Sequence, residues 1–301
     1  TKVKYTFHGD SLHFTRGKLT FKDAHVTDKR GNSGWLSGEV THKHLGKWEC
    51  DLSARVNNML VYDTHNFDEA PFYGTVYATG NANLKANSKG LFIKAEVRNE
   101  QNSRIVYNSS GSGSVRDNSF VKFIDSSKKQ TEEKTEENNI SKYNDIESSL
   151  NLDFYIDVNE GLQVKVYTNL KSDDYIDIYG KGAINAIYDE KEGFSLKGNL
   201  DLDRGAYKIT VQDIFTKEFS IAKGSTLIFN GNPYDANLDI KAKYLVPSAS
   251  LSALNPEMAN RKSVKVNCLM NMTGTLASPI LNFDLELPEG SEEEKEMLAS
   301  A

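Results

Sequence analysis

Hydrophobic and polar residues alternate along most of the chain. Residues 150–158 carry Leu, Leu, Phe, Ile and Val at every second position, with Asn, Asp, Tyr and Asp between them. Residues 236–246 and 264–272 repeat this period of two. Strict alternation over about eight residues is typical of a β-strand with one apolar face and one face in water. The pattern therefore predicts half-buried strands through most of the sequence.

Short turn signals separate these strands. They include residues 159–161 (NEG), 203–205 (DRG) and 231–233 (GNP), and in the best-patterned stretches such signals recur roughly every 12 residues. This rhythm is typical of antiparallel strands joined by hairpins. We expect an all-β fold with about sixteen strands and no helix of normal length before residue 290.

A sheet with one apolar face needs a cover, and no amphipathic helix is evident in the sequence to provide it. A closed barrel, a two-sheet sandwich and a long antiparallel sheet curled over its own face all solve this problem. About sixteen strands at a spacing of ~4.8 Å extend for ~75 Å, and strands of about ten residues give a ribbon ~33 Å wide. Curled lengthwise into a U, this ribbon forms an open groove for hydrophobic ligands, above all lipids.

The alternation by itself leaves two rivals to the groove. It favours an ordinary sandwich core, and a transmembrane β-barrel has the same pattern with its apolar face outward. The residues that would line a groove are those in the apolar register of their strands. They are Trp48, Leu52, Val56, Leu91, Ile93, Val97, Leu150, Leu152, Phe154, Ile156, Leu162, Val164, Val166, Leu196, Leu200, Leu238, Ile240, Val264, Val266, Met270, Leu281, Phe283 and Leu285.

The pattern divides the chain into four parts. Residues 1–108 form the N-terminal part of the curved sheet, 109–145 a Gly/Ser-rich and charged insertion, 146–290 the C-terminal part of the sheet, and 291–301 an acidic tail. The 21 residues from 125 to 145 carry ten charges and two large apolar side chains. Such a segment buries too little apolar area to offset the entropy of ordering, so we expect the insertion to be exposed and mobile.

Composition narrows the function classes. The hydrophobic fraction is 38 %, at the low edge of the globular range once glycine is added, and it fits apolar residues spread along one face. The formal net charge of −6 argues against a nucleic-acid partner. The longest apolar run, residues 59–62, is far shorter than the ~20 residues of a transmembrane helix. No signal peptide opens the chain, so we expect any targeting or anchoring segment to lie outside it.

The residue types that usually carry chemistry do not form a recognisable motif. Cys50 and Cys268 lie far apart without a CxxC, which favours free buried thiols over a long-range disulfide. All six histidines lie at or before His65 and no GxSxG accompanies them. His42 and His44 have metal-ligand spacing, but a pair at a strand end is the favoured interpretation. We predict no catalytic residue, metal site or cofactor, and therefore a protein that is not an enzyme.

Two stretches resemble the C-terminal domain of the TamB family, the translocation and assembly module proteins of Gram-negative bacteria. They are residues 198–246 and 264–290. The matching features, in order, are GAY at 205–207, FSI at 219–221, GSTLIF at 224–229, Pro233, LDIKA at 238–242, GTL at 274–276 and Pro279. Their order and spacing make the resemblance specific over residues 150–290, and residues 33–52 and 72–97 resemble the preceding part of the same domain.

The resemblance implies a fold, a location and partners. The fold is a curved, taco-like β-sheet with a hydrophobic groove. The location is the periplasm, with an inner-membrane anchor outside this sequence. The partners are phospholipid and an outer-membrane barrel of the TamA type, from the assembly-factor superfamily. The family role is outer-membrane biogenesis, either by moving phospholipid between the membranes or by assisting outer-membrane protein insertion. Groove physics favours the first, and an exposed strand edge leaves the second open.

Overall fold

The computed structural model describes residues 2–9, 12–44, 46–67, 70–109, 149–211, 215–250 and 263–290. The predicted insertion, apart from Ser109, and the acidic tail lie outside these residues. The elements are β1 (Thr6–His8), β2 (Leu12–Thr15), β3 (Lys18–Thr27), β4 (Ser33–Lys43), β5 (Gly46–Thr64), β6 (Phe72–Asn87), β7 (Gly90–Asn99), β8 (Ser103–Asn108), β9 (Ser149–Val158), β10 (Leu162–Asn169), β11 (Asp174–Asp189), β12 (Gly193–Val211), β13 (Phe215–Ile221), β14 (Ser225–Gly231), a 3-10 turn (Pro233–Asp235), β15 (Asn237–Ala249), β16 (Val264–Thr275) and β17 (Ser278–Glu286).

All 17 strands belong to one sheet, which confirms the all-β prediction. Four rows of the sheet each contain two short strands placed end to end, namely β1 with β2, β7 with β8, β9 with β10 and β13 with β14. The strands therefore form 13 rows, which extend for ~58 Å at a spacing of ~4.8 Å. This ribbon is shorter than the ~75 Å expected from sixteen separate rows.

The sheet is antiparallel except at one join in its middle. There β7 pairs with β9, and β8 pairs with β10, in parallel. One long border of the sheet contains the 87–90 and 189–193 hairpins, and the opposite border contains the 169–174 turn. The β8 strand ends at the second border and β9 begins at the first, so the two strands run in the same direction and are joined by a long connection. Parallel neighbours require a long connection of this kind, whereas a hairpin gives antiparallel neighbours.

The longest strands are about twice the predicted length. Both β5 and β12 have 19 residues, or ~63 Å of extended chain. The expectation of strands of about ten residues was wrong for these two strands. Each contains a bulge in its middle, and strand pairing continues on both sides of the bulge. Near residues 203–205 the register of β12 shifts by one residue against Tyr179 and Gly180 of β11. In β5 the register shifts twice against β6, between Val56 and Met59 and between Leu60 and Tyr62, and Asn58, with φ 49°, lies in the first of these shifts.

These irregularities line up across the sheet. The gap between β7 and β8 adjoins the gap between β9 and β10, and further along lie the β12 bulge and the gap between β13 and β14. On the other side lie the β5 bulges and the 28–32 turn between β3 and β4. We call this line the crease. Because a bulge bends its strand and increases the local twist, a row of bulges bends the whole sheet along the crease.

Asp28 is the main hydrogen-bond acceptor at the N-terminal end of the crease. The residue is only 5 % exposed, and its carboxylate accepts hydrogen bonds from the backbone N–H groups of Arg30, Asn32 and Leu60 and from the Asn32 amide. Burial by itself raises the pKa of Asp28, but these hydrogen bonds outweigh that effect and the pKa lies below its ordinary value. The buried carboxylate thus fastens the β3–β4 turn to the β5 bulge.

Small polar side chains supply hydrogen bonds along the rest of the crease. Asn99 and Asn159 join the two broken rows, since the Asn99 amide donates to Asn159 Oδ1 (2.9 Å) and the Asn159 backbone N–H donates to Asn99 Oδ1 (2.8 Å). The Ser103 hydroxyl lies 3.2 Å from the Tyr77 carbonyl and accepts from the Tyr77 N–H. Ser225, fully buried, donates to Ala222 and accepts from the Lys241 N–H. Each supplies partners to backbone groups that the interrupted ladder leaves open.

The sheet bends toward its apolar face. Tyr107, on β8 near one border, is hydrogen-bonded through its hydroxyl to the Tyr234 hydroxyl (2.9 Å), and Tyr234 follows Gly231 at the other border by three residues. In a flat sheet Tyr107 and Gly231 would lie roughly 40 Å apart, four rows across and eleven residues along. Three residues span at most ~11 Å, and the two tyrosine side chains joined at their hydroxyls are too short to cover the remaining distance. The two borders must therefore fold toward one another, which makes the apolar face concave.

The first prediction concerns Asp28. Replacing Asp28 by Ala leaves the buried Leu60 N–H and two turn N–H groups without their acceptor, so the free energy of unfolding should fall by about 2–3 kcal/mol. Asp51→Ala is the matched control, since Asp51 is exposed and its ion pair with Lys85 contributes less than about 1 kcal/mol. Urea unfolding at neutral pH measures both. Equal unfolding midpoints for the two variants would contradict the role given to Asp28.

Candidate functional site: the concave apolar face

The cross-strand register places all 23 predicted groove residues on one face of the sheet. One lateral row runs through Leu52, Leu84, Ile93, Leu152 and Tyr188, each directly opposite the next on five adjacent rows of strands. It extends to Phe21 of β3 at one end, through Gly38, and to Phe194 of β12 at the other. The alternation seen along each strand therefore continues across strands as an uninterrupted apolar band.

A second row lies on the other side of the crease. The residues that face one another along it are Ile105, Val164, Ile178, Gly205, Ile221, Ala242, Met270 and Phe283. Sequence reasoning placed Val164, Met270 and Phe283 on this face but left out Ile178 and Ile221. Ile178 also follows a period of two within β11, so the sequence alone could have placed it on this face. Ile221 lies in a short strand with one alternation, which is too little to define a face.

The predicted residues fall into three classes of burial. Leu150, Leu162, Leu238, Ile240, Val266 and Met270 are buried. Trp48, Phe283 and Leu285 are exposed. The rest are half-buried, namely Leu52, Val56, Leu91, Ile93, Val97, Leu152, Phe154, Ile156, Val164, Val166, Leu196, Leu200, Val264 and Leu281.

The apolar face is closed in its C-terminal part. Ile240 (2 % exposed) and Met270 (0 %) belong to a cluster of buried side chains contributed by β11 to β16. The rings of Phe219 and Phe283 have centroids 6.0 Å apart although β13 and β17 are three rows apart, and ~14 Å separates such rows in a flat sheet. We call the rows from β11 to β17 the closed section, because there the curved face packs against itself.

The apolar face is open in its N-terminal part. Most aliphatic side chains on rows β2 to β7 away from the crease are half-buried, and Trp48 is 55 % exposed with its ring 4.7 Å from that of His42. The reason is the length of the strands: β3 and β4 end at the 28–32 turn and so occupy one side of the crease only. Among these rows the opposite wall is formed by the ends of β5 and β6 and by β8. We call rows β2 to β7 the open section.

The other face of the sheet is polar. Lys165 lies over the Tyr175 ring (3.6 Å to the centroid), and the Tyr175 hydroxyl donates to Glu218, which raises the pKa of Tyr175 to about 12. Lys208 pairs with Asp173 at 2.5 Å. Two shallow depressions, about 190 and 320 Å³ in volume, also lie on this side and are lined mainly by polar residues around Tyr77 and Trp35. The convex face is thus suited to water and the concave face to apolar material.

The cysteines and histidines belong to no metal-binding cluster in the part of the chain that the structure describes. Cys50 and Cys268 are free and partly buried on the apolar face, and burial raises the pKa of both thiols. His44 lies in a turn with φ 51°. Across the described ranges no cluster of three or more His, Cys, Asp or Glu side chains is placed to hold a metal ion.

The family model of the TamB C-terminal domain matches residues 22–300. The chain belongs to the TamB family. This match covers most of the N-terminal half as well as the stretches that carry the resemblance, so the open and closed sections are parts of one TamB domain. No curated protein matches the chain. None of the helices in the described ranges is long and apolar enough to cross a membrane.

Family membership defines a coarse role. TamB proteins are envelope-associated modules of transport and assembly without enzymatic activity, and they serve outer-membrane biogenesis. The concave face is the feature of this TamB domain that fits such a role, because it offers a long apolar surface.

The second prediction separates the two sections of this face. Ile240→Ala in the closed section should lower the free energy of unfolding by about 2–5 kcal/mol, because it leaves a cavity among packed side chains. Ile93→Ala in the open section removes the same atoms from a half-buried position, and we expect a loss of about 1 kcal/mol. Urea unfolding of the two variants measures the difference. A larger loss for Ile93→Ala would contradict the division into sections.

Proposed function

We propose that the chain conducts phospholipid between the inner and outer membranes, with the acyl chains lying against the concave apolar face. The observation that carries this proposal is the continuity of the apolar rows across strands. An acyl chain placed along the row of Leu52, Ile93 and Leu152 meets aliphatic side chains at every strand. It would have no polar barrier to cross as it moves from one strand to the next.

Exposure of the open section supports the proposal energetically. Half-buried aliphatic side chains leave apolar area in water, and covering that area yields roughly 25 cal/mol per Å². Each acyl methylene that leaves water contributes a further ~0.8 kcal/mol. Soluble proteins rarely leave contiguous apolar surface of this kind exposed, and such surface marks a site for a ligand, a membrane or another protein.

The polarity of the two faces supports a particular orientation of the lipid. With the acyl chains on the concave face, the polar headgroup would remain at the mouth of the groove, in water. Placement in the periplasm, with an inner-membrane anchor outside this sequence, would let the groove bridge the two membranes. The periplasmic placement and the anchor rest on family membership.

The third prediction tests the groove with two adjacent residues on opposite faces. Leu152→Asp places a carboxylate on the apolar row, where an unpaired charge costs several kcal/mol next to an acyl chain, and the fraction of protein purified with bound phospholipid should fall at least tenfold. Asn151→Asp places the same charge on the polar face and should leave that fraction unchanged. Native mass spectrometry of the two purified variants measures bound lipid. Equal lipid content in both would refute a groove on this face.

A second candidate function is that of a scaffold that binds an outer-membrane barrel of the TamA type and assists protein insertion. The observation in its favour is the strand at the C-terminal edge of the sheet. Within the described residues β17 pairs only with β16, so its other side offers unpaired backbone groups, and Ile280 is 57 % exposed there. Such an edge can accept an added strand from a partner.

The fourth prediction distinguishes the scaffold from the lipid conduit. Ile280→Lys introduces a charge on the edge strand, which disfavours strand addition, so co-purification with a TamA-type barrel should be lost while bound lipid is retained. Ile228→Lys is the control, since Ile228 is also exposed on the polar face (43 %) but lies on β14 in the interior of the sheet. Affinity pull-down of the barrel measures both. Unchanged pull-down by Ile280→Lys would remove support for the edge as the contact.

A further inference from the structure

The hydroxyl pair of Tyr107 and Tyr234 joins opposite borders of the folded sheet. Cross-strand register places Tyr107 on the apolar face, opposite Phe72 and Val166. Tyr234 reaches it from the connector between β14 and β15, at a separation of 127 residues along the chain. The contact lies between the open section and the closed section, since it spans the rows from β8 to β14.

Both tyrosines are held by their surroundings. The Tyr234 backbone N–H donates to the Asn232 side chain (3.1 Å), and its carbonyl accepts from the Ala277 N–H (2.9 Å) in the β16–β17 turn. On the other border, Asn108 donates to the Pro71 carbonyl (2.8 Å) and Ser109 to the Tyr167 carbonyl. The hydroxyl contact therefore connects two anchored parts of the chain and does not depend on a freely moving side chain.

We propose that the Tyr107–Tyr234 hydrogen bond is a clasp at the boundary between the open and closed sections, and that an acyl chain from the open section passes this boundary only when the hydrogen bond breaks. This inference rests on the proposed lipid function and assigns its point of control. The closed section has its central apolar side chains packed against one another, so an acyl chain can pass between these side chains only if its two walls separate. The clasp joins the two borders of the folded sheet, from β8 to the connector after β14, at the place where the open section meets the closed section.

Conservative variants test the energetic side of the clasp. Tyr107→Phe and Tyr234→Phe keep both rings and remove one hydroxyl, and loss of one net hydrogen bond should shift the closed–open equilibrium about fivefold toward the open form. Because the two hydroxyls bond to each other, the effects of the two substitutions should be less than additive in the double variant. Tyr155→Phe, on the exposed polar face, is the control. The readout is photo-crosslinking of a diacyl phospholipid from phosphatidylethanolamine–phosphatidylglycerol vesicles to benzoylphenylalanine at Leu281, in the closed section.

A reversible lock tests the same clasp in the opposite direction. The backbones of residues 107 and 234 are separated by the length of two tyrosine side chains, and this distance is too great for a direct disulfide. Tyr107→Cys and Tyr234→Cys are therefore joined by a dithio-bis-maleimide that a reductant cleaves. Cys50→Ala and Cys268→Ala remove the native thiols. The joined protein should lose crosslinking at Leu281 at least tenfold and regain it on reduction, whereas the same protein capped with N-ethylmaleimide should keep it throughout.

A second reporter at Leu91, in the open section, separates the clasp from the lipid function itself. Lipid should reach Leu91 in the joined, reduced and capped protein alike. If lipid reaches neither position in any form, the proposed lipid function is wrong. If lipid reaches Leu281 equally well before and after joining, or if the phenylalanine variants do not increase it, the clasp is wrong and the lipid function stands.

Discussion

The structure depends on one constraint: a single sheet with one apolar face has to cover that face with itself. Within the described residues no helix and no second sheet packs on it. Bending along the crease is what brings side chains such as Ile178, Leu238 and Met270 into one cluster. The low apolar content of the chain is consistent with this arrangement, because the apolar side chains occupy one face of a broad ribbon.

Bending a sheet of this width has a cost in backbone hydrogen bonds. Bulges and strand breaks leave N–H and C=O groups without ladder partners in the region that becomes buried, where an unpaired group is expensive. Asp28, Asn99, Ser103 and Ser225 meet this cost with short side chains that fit between strands. The polar residues of the crease allow the sheet to bend, and the bend buries the apolar residues of the concave face. The two sets of residues therefore depend on one another.

The difference between the open and closed sections connects the fold to lipid transport. Where both walls are complete, from β11 onward, the central apolar side chains pack against one another. Where β3 and β4 stop at the crease, the facing wall is incomplete and the same kind of side chain stays half in water. An apolar ligand gains most at the second place and must separate side chains at the first, so a contact that joins the walls can control its passage.

Local pattern determined which side chains share a face, and the tertiary structure decided what that face does. The period of two depends only on backbone geometry within each strand, so Leu152, Val164 and Ile240 could be assigned to the apolar face from the sequence alone. Residues 203–205 have turn chemistry but form a bulge, because pairing with β11 continues on both sides of them. The parallel join, the crease and the contact of Tyr107 with Tyr234 depend on partners distant in sequence, which no local pattern contains. Whether an apolar residue is buried, like Met270, or half-exposed, like Ile93, follows from whether the opposite wall is present.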